Sequence, residues 1–172
     1  MNLKIYMNWK RSAGLLLSLL IFQVLPVVAE TELNTSPVRP EIVIEKAVVS
    51  PGQSVKVGIK FTIDKPWHIY YKEPGDAGLP TRIRWNSVAG ISFGELEWPD
   101  YVDFMQPGNI HGKGYEGEVT LWTTASVATT VLPASVKLEA RVDWLRCAKL
   151  CVQEKANLEA VLEVAYQGAR AS

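Results

Sequence analysis

The feature that most constrains the fold is a two-residue alternation of apolar and polar side chains, which occurs in three separate stretches of the chain. Residues 55–63, 136–144 and 156–164 each carry apolar side chains at every second position. Successive side chains of an extended strand point to opposite faces, so this period is typical of a strand with one buried face. The composition of the last stretch also suits a helix, but its period favours a strand.

Shorter apolar stretches complete the expected set of strands. They are Ile42–Val49, Trp67–Tyr71, Thr81–Asn86, Ile91–Trp98 and Glu118–Val127. Turn-forming dipeptides such as Pro51-Gly52 and Pro74-Gly75 separate these stretches. About eight short strands without a long helical period predict an all-β fold, a single-domain antiparallel β-sandwich.

One segment, from Pro99 to Gly114, shows no strand period. It contains Phe104, Ile110 and His111 among several glycines and polar residues. We expect a long irregular loop that exposes apolar side chains. Long loops of this kind often carry binding or catalytic residues.

The first 29 residues have the pattern of a secretory signal peptide. Basic residues precede a nearly all-apolar stretch from Ala13 to Val28. The small residues Val27-Val28-Ala29 then have the spacing of a signal-peptidase cleavage site. An uncleaved membrane anchor is the alternative, but the apolar stretch is interrupted and short for a membrane span. We expect cleavage after Ala29, a flexible leader over residues 30–40, a domain over residues 41–172, and no membrane span in the mature chain.

The charge balance changes once the signal peptide is set aside. The whole chain has 18 basic and 18 acidic residues, but residues 1–29 hold three basic residues and no acidic one. The remaining chain therefore has 15 basic and 18 acidic residues, a net charge of −3. This balance argues against a nucleic-acid partner. Export also places the chain where thiols can oxidise to a disulfide.

The chain has two cysteines, Cys147 and Cys151. On one continuous strand their Cα atoms would lie about 13 Å apart, so a disulfide requires a turn that brings them to about 6 Å. Closing a five-residue ring contributes only about 2 kcal/mol of stability. Small exposed rings are often reducible, which favours a redox function. A binding module with a passive structural disulfide is an equally open alternative at this point.

A copper site is a further alternative. The two thiolates together with Met105, His111 or His68 would supply soft ligands suited to copper. The cysteine spacing matches no zinc pattern, and the chain has no second cysteine pair. We therefore expect no resident metal and no bound cofactor, and keep a copper-binding or copper-tolerance function as the alternative.

Several motifs give the chain a family resemblance. The motifs are Trp67-His68-Ile69-Tyr70-Tyr71, the stretch from Pro74 to Thr81, Gly114-Tyr115-Glu116-Gly117-Glu118-Val119, Trp144-Leu145 before the cysteines, and Glu154-Lys155-Ala156. With these motifs, residues 42–165 resemble the periplasmic N-terminal domain of DsbD-type thiol:disulfide interchange reductases, especially the branch of the suppressor-of-copper-sensitivity proteins.

The resemblance implies a fold, a site and partners. It implies an immunoglobulin-like sandwich with one redox-active cysteine pair, in which Cys151 forms mixed disulfides and Cys147 resolves them. A thioredoxin-like protein or domain would donate electrons, and a periplasmic disulfide isomerase or oxidoreductase would accept them. The sequence up to Ser172 contains neither a membrane hub nor a thioredoxin-like domain, so we expect a separate donor.

The resemblance also implies a cap that shields the cysteine pair. The matching segment here is the loop that contains Phe104, Ile110 and His111. Ile110 and His111 stand where well-studied members carry aromatic residues, and those members have more residues between the two cysteines. The shielding is therefore expected to differ in detail in this chain.

Overall fold

The computed structural model describes residues 36–166, which form two packed β-sheets. The expected signal peptide and residues 30–35 of the expected leader lie outside the described residues. The strands are β1 Val38–Ile44, β2 Val48–Val49, β3 Ser54–Ile63, β4 His68–Gly75, β5 Arg82–Trp85, β6 Ile91–Phe93, β7 Val102–Gln106, β8 Ile110–Tyr115, β9 Gly117–Val127, β10 Ala134–Cys147 and β11 Cys151–Val164.

The two sheets differ in size. The smaller has the strand order β1-β3-β9-β6, and the larger has the order β2-β11-β10-β4-β8-β7, with β5 paired to β10. The pairs are antiparallel apart from the short parallel pair of β2 with β11. This architecture confirms the expected all-β, immunoglobulin-like sandwich.

The three alternating stretches form the long strands β3, β10 and β11. Their apolar positions face the other sheet, and every apolar side chain of the β3 alternation is buried. Phe61 on β3 meets Trp144 on β10 edge to face, with ring centroids 6.0 Å apart. Each such large apolar side chain stabilises the fold by about 1.5–3 kcal/mol through burial. The core therefore fixes β10, the strand that carries Cys147.

The start of the domain differs from the expected boundary at Glu41. Strand β1 begins at Val38, whose side chain is fully buried and which pairs with Ile63. Pro40 lies within β1, which is tolerated because β1 is an edge strand and needs no hydrogen-bond donor on its open side. Residues 38–40 are therefore part of the sandwich and not of a flexible leader.

The expectation of an irregular loop over residues 99–114 was wrong. The segment forms a β-hairpin of β7 and β8, which we call the cap hairpin, with its turn at Pro107–Asn109. Its inner face includes the buried Gly112 and Gly114, and its exposed side chains include Met105. Because glycines occupy buried positions of β8, the strand shows no alternation of apolar and polar residues, and the sequence did not reveal it.

None of residues 36–166 belongs to a helix with the length and apolar character that a membrane span requires.

Candidate functional site

The two cysteines form a disulfide at one end of the larger sheet. Cys147 is the last residue of β10 and Cys151 the first residue of β11, and the two are register partners with Cα atoms 4.1 Å apart. Residues 148–150 form the connecting turn, in which the Ala148 N–H donates a hydrogen bond to the Leu150 carbonyl at 3.1 Å. The expected turn is confirmed, and it brings the pair closer than the predicted 6 Å.

The two cysteines differ sharply in exposure. Cys147 is 1% exposed because β4 pairs with β10 at this point and places His68 opposite it. Cys151 is exposed at the start of β11. A second protein can therefore approach the bond from the Cys151 side, while Cys147 remains surrounded by its own domain.

A chain of polar contacts leads from the cap hairpin to the buried sulfur. The Tyr70 hydroxyl donates a hydrogen bond to Cys147 Sγ at 3.3 Å. Gln106 on β7 donates from Nε2 to the Tyr70 hydroxyl at 2.5 Å, and the same nitrogen lies 3.4 Å from His68 Nε2. The position of the hairpin is thus coupled to the environment of Cys147.

Phe104 covers the side chains beside Cys147. Its ring centroid lies 4.1 Å from that of His68 and 5.9 Å from that of Tyr70. Gly112, the register partner of Phe104, leaves room for this ring, because a Cβ atom at position 112 would lie 2.2 Å from Phe104 Cε2. We did not identify Gly112 from the sequence; a glycine within a strand and opposite an aromatic residue is the signal that would have indicated it.

The other two predicted cap residues lie close to the hairpin turn. Ile110 is half-buried and pairs with Gln106, whereas the His111 side chain is exposed. The backbone of His111 fastens the hairpin to the end of β4. Its N–H donates to the Asp76 carboxylate at 3.0 Å, and its carbonyl accepts from the Asp76 N–H at 2.9 Å. Of the three predicted cap residues, Phe104 is the one that packs on His68 and Tyr70.

The charged groups around the site are largely engaged. Burial lowers the pKa of His68, and the negative charge of Glu116 offsets this only in part. The Arg146 guanidinium lies 4.2 Å from the centroid of the Trp67 ring, and its Nε is 2.8 Å from Glu154 Oε1. The positive charge of Arg146 is therefore compensated by Glu154, and His68 is neutral at pH 7.

The residues considered for a copper site lie on different faces of the cap hairpin. Met105 and His111 are exposed register partners, whereas His68 is buried under Phe104 on the opposite face. Within residues 36–166, no group of three or more His, Cys, Asp and Glu side chains is arranged to hold a metal ion.

A solved structure of another protein has a similar fold. The N-terminal periplasmic domain of ScsB from Proteus mirabilis has a similar structure, with 22% sequence identity and a TM-score of 0.54 over 70% of this chain and 44% of that chain. This chain thus spans less than half of that structure, and the likeness supports the fold.

A second solved structure is also similar to this chain. The reduced DsbD N-terminal domain of Neisseria meningitidis matches with 14% identity and a TM-score of 0.43, over 74% of this chain and 85% of that chain, and we base no argument on it. No curated protein sequence matches the chain.

A family model gives the most direct assignment. The model for the N-terminal region of the thiol:disulfide interchange protein DsbD matches residues 35–163, a range that includes both sheets and both cysteines. The chain therefore belongs to the family of DsbD N-terminal domains.

Proposed function

We propose that this chain is a periplasmic thiol:disulfide exchange domain that relays two electrons between protein partners through Cys147 and Cys151. The observation that carries the proposal is the asymmetry of the disulfide. An exposed Cys151 is bonded to a buried Cys147 whose sulfur accepts a hydrogen bond from Tyr70. Such a pair offers one sulfur for attack and keeps the other as an internal leaving group.

Reduction of the domain takes two exchange steps. A thiolate of the donor attacks Cys151 Sγ, the bond to Cys147 breaks, and Cys147 leaves as a thiolate toward which the Tyr70 hydroxyl already donates. A second donor thiolate then attacks the donor sulfur in the mixed disulfide and releases Cys151. The donor ends as a disulfide, and the domain has gained two electrons and, after protonation, two protons.

Reduction of an acceptor reverses these roles. The Cys151 thiolate attacks a disulfide of the acceptor and forms a mixed disulfide, and one acceptor thiolate leaves. Cys147 then attacks Cys151 Sγ, which restores the Cys147–Cys151 bond and releases the acceptor as a dithiol. No cofactor takes part, because thiolates and disulfides carry the electrons throughout.

The partners follow from the family and from export. A thioredoxin-like protein or domain is the proposed donor, and a periplasmic disulfide isomerase or related oxidoreductase is the proposed acceptor. Phe104 of the cap hairpin packs on His68 and Tyr70 and thereby limits access of other thiols from the Cys147 side. Its displacement would accompany partner binding.

Partner capture tests the roles of the two cysteines. Cys147→Ala leaves Cys151 without a resolving thiol, so this variant should accumulate mixed disulfides in a periplasmic extract. Cys151→Ala is the matched control and should accumulate far less, because Cys147 is buried. Equal trapping by the two variants would refute the assignment of Cys151 as the partner-facing thiol.

A redox titration separates exchange from a passive disulfide. Thiol trapping of the wild-type domain across a glutathione series should show a reversible two-electron couple. A pair that remains oxidised below about −300 mV behaves as a structural disulfide and would contradict the proposed relay.

A further inference from the structure

The outer face of the larger sheet carries a concentration of positive charge. It consists of Arg82 and Arg84 on β5, Arg141 on β10 and Lys155 on β11, which we call the basic patch. Asp143 is the one carboxylate among them, and it forms ion pairs with both Arg84 and Arg141. Within residues 36–166, Arg82 and Lys155 form no ion pair, and the next carboxylates on this face, Glu139 and Glu159, are paired with Lys137, so the basic patch keeps an excess of positive charge.

Strand register places the basic patch on one surface. Arg82 and Lys155 are both register partners of Asp143, and Arg84 is the partner of Arg141. The even-numbered residues from Leu138 to Trp144 on β10 are buried in the core, so the odd-numbered residues of this strand face outward.

The disulfide lies on the same surface as the basic patch. Cys151 and Lys155 are four residues apart on β11 and therefore share a face, at a separation of about 13 Å. A partner typically covers about 800 Å² on each protein, which corresponds to a disc with a radius of about 16 Å. A protein bound over Cys151 would therefore reach the nearer part of the basic patch.

A cleft lies at the basic patch. It has a volume of about 140 Å³, and its lining consists of Leu79, Pro80, Arg82, Arg84, Asp143, Trp144 and Gln153. Gln153 is two residues from Cys151 on β11. Asp143 is paired with Arg84, but Arg82 forms no ion pair within residues 36–166, so its guanidinium and the Gln153 amide can donate hydrogen bonds to an acidic side chain of a bound protein.

We propose that the basic patch docks an acidic surface of the thioredoxin-like partner and orients that partner over Cys151. This inference rests on the proposed function and adds the chemistry of the partner surface. The chain after residue 29 has a net charge of −3, which by itself repels an acidic partner. A local positive field beside the disulfide would direct the approach to this face.

The test measures how fast the Cys147–Cys151 disulfide is reduced by a reduced thioredoxin of net negative charge. Raising the salt concentration from about 10 mM to about 1 M shortens the Debye length from about 30 Å to about 3 Å. We expect the second-order rate constant to fall about tenfold over this range. Neutral dithiothreitol reports the intrinsic reactivity of the disulfide and should show no such decrease.

Two lysine variants form a matched pair. Lys155→Glu reverses a charge in the basic patch, whereas Lys46→Glu makes the same change beside Ala47, which hydrogen-bonds Glu163 about 40 Å along β11 from Cys151. At low salt we expect Lys155→Glu to slow the reaction with thioredoxin about tenfold and Lys46→Glu to leave it nearly unchanged. Lys155→Gln, which removes the charge without adding another, should give an intermediate rate.

The outcomes separate this inference from the proposed function. Reduction by thioredoxin with equal rates for the two glutamate variants would overturn the docking role and leave the exchange function intact. A disulfide that thioredoxin does not reduce would overturn both. Vesicles of anionic lipid are the competing probe: vesicle binding lost in Lys155→Glu, with unchanged reduction rates, would assign the patch to a membrane surface and overturn the inference.

Discussion

At the scale of single residues, the two cysteines differ because their neighbours differ. Cys147 lies beside His68 on the neighbouring strand and accepts a hydrogen bond from Tyr70, while Cys151 starts the next strand in contact with solvent. A leaving thiolate needs a hydrogen-bond donor, and an attacked sulfur needs access. In the proposed mechanism, the different roles of the two sulfurs therefore come from groups outside the turn that joins them.

Tyr70→Phe removes the donor to Cys147 Sγ. Losing one hydrogen bond to a developing thiolate costs about 1 kcal/mol, which lowers the rate of reduction by dithiothreitol about fivefold. Tyr71→Phe is the matched control, because the Tyr71 ring packs against Trp98 and Tyr101. Stopped-flow rates that are equal for the two variants would show that the Tyr70 hydroxyl does not assist the leaving sulfur.

His68 should make the stability of the domain depend on pH. Burial lowers its pKa in the folded state, so the unfolded chain binds a proton at higher pH than the folded domain does. The free energy of unfolding is then constant above about pH 7 and falls as the pH drops through about 6.5, the ordinary value for histidine. Urea denaturation of the wild type and of His68→Asn at about pH 7 and at about pH 5.5 measures the effect.

The two variants for this pH test carry the same substitution, histidine to asparagine, at a buried and at an exposed position. In His68→Asn the decrease between about pH 7 and pH 5.5 should be smaller than in the wild type, because the buried imidazole is absent. His111→Asn removes the other histidine of the chain, whose side chain is exposed, and should retain the wild-type decrease. The reverse pattern would contradict the role given to burial of His68.

At the scale of the elements, the cap hairpin is held by the pairing of β8 with β4 and by hydrogen bonds at two further places. Asp76 binds the backbone of His111 at the end of β4, and Gln106 binds Tyr70 beside the disulfide. Between them, Phe104 lies on His68 in the space that Gly112 provides. The pairing of β8 with β4 anchors the hairpin in the sheet, whereas the contacts that Gln106 and Phe104 of β7 make beside the disulfide are polar or aromatic and can be replaced by a bound partner.

Phe104→Ala should open this cover. Without the ring, small thiols reach the Cys147 side of the disulfide more readily, and we expect dithiothreitol to reduce the protein several-fold faster. Ile110→Ala on the same hairpin is the matched control, since Ile110 lies next to the turn and pairs with Gln106. An equal acceleration in both variants would indicate general loosening of the hairpin and not shielding by Phe104.

Gly112→Ala should produce the same opening by a different route. A Cβ atom there would lie 2.2 Å from Phe104 Cε2, so the ring must move away from His68. The reduction rate should rise in the single variant, but adding Gly112→Ala to Phe104→Ala should give no further increase because the ring is already absent. An additive double variant would show that Gly112 acts independently of Phe104.

At the scale of the whole molecule, the disulfide is not what holds the sandwich together. β10 and β11 pair over fourteen register positions, and the two sheets bury apolar clusters around Phe61 and around Leu138. The disulfide closes a ring of five residues at one end of this pairing. We therefore expect the fold to survive reduction of the disulfide, which the proposed relay requires.

Reduction of the disulfide should lower the free energy of unfolding by about 2 kcal/mol, the chain-entropy contribution of so small a ring. The far-UV circular dichroism spectrum should stay that of a β-sandwich. Urea denaturation of the oxidised and reduced wild-type protein measures the difference in the free energy of unfolding. The spectrum recorded before urea is added reports whether the fold is retained. Loss of the spectrum on reduction would mean that the disulfide is structural.

Much of the architecture could be predicted from the sequence, because burial on one face of a strand leaves a two-residue period in the residues themselves. That period identified β3, β10 and β11, and the cysteine spacing required the turn at residues 148–150. The cap hairpin could not be predicted in this way, since its inner face contains Gly112 and Gly114. Val38 was missed because the neighbouring prolines resemble those of a linker.

The sequence by itself determined the fold class, the family and the cysteine pair, because apolar periodicity and residue spacing are properties of neighbours along the chain. Only the tertiary structure decided which cysteine is buried and that Phe104 covers the side chains beside it. It also decided that Arg82 and Lys155 share a face with Cys151. These properties depend on pairing between β4, β5, β10 and β11, which are distant in sequence. Strand register, which no local pattern encodes, brings them together.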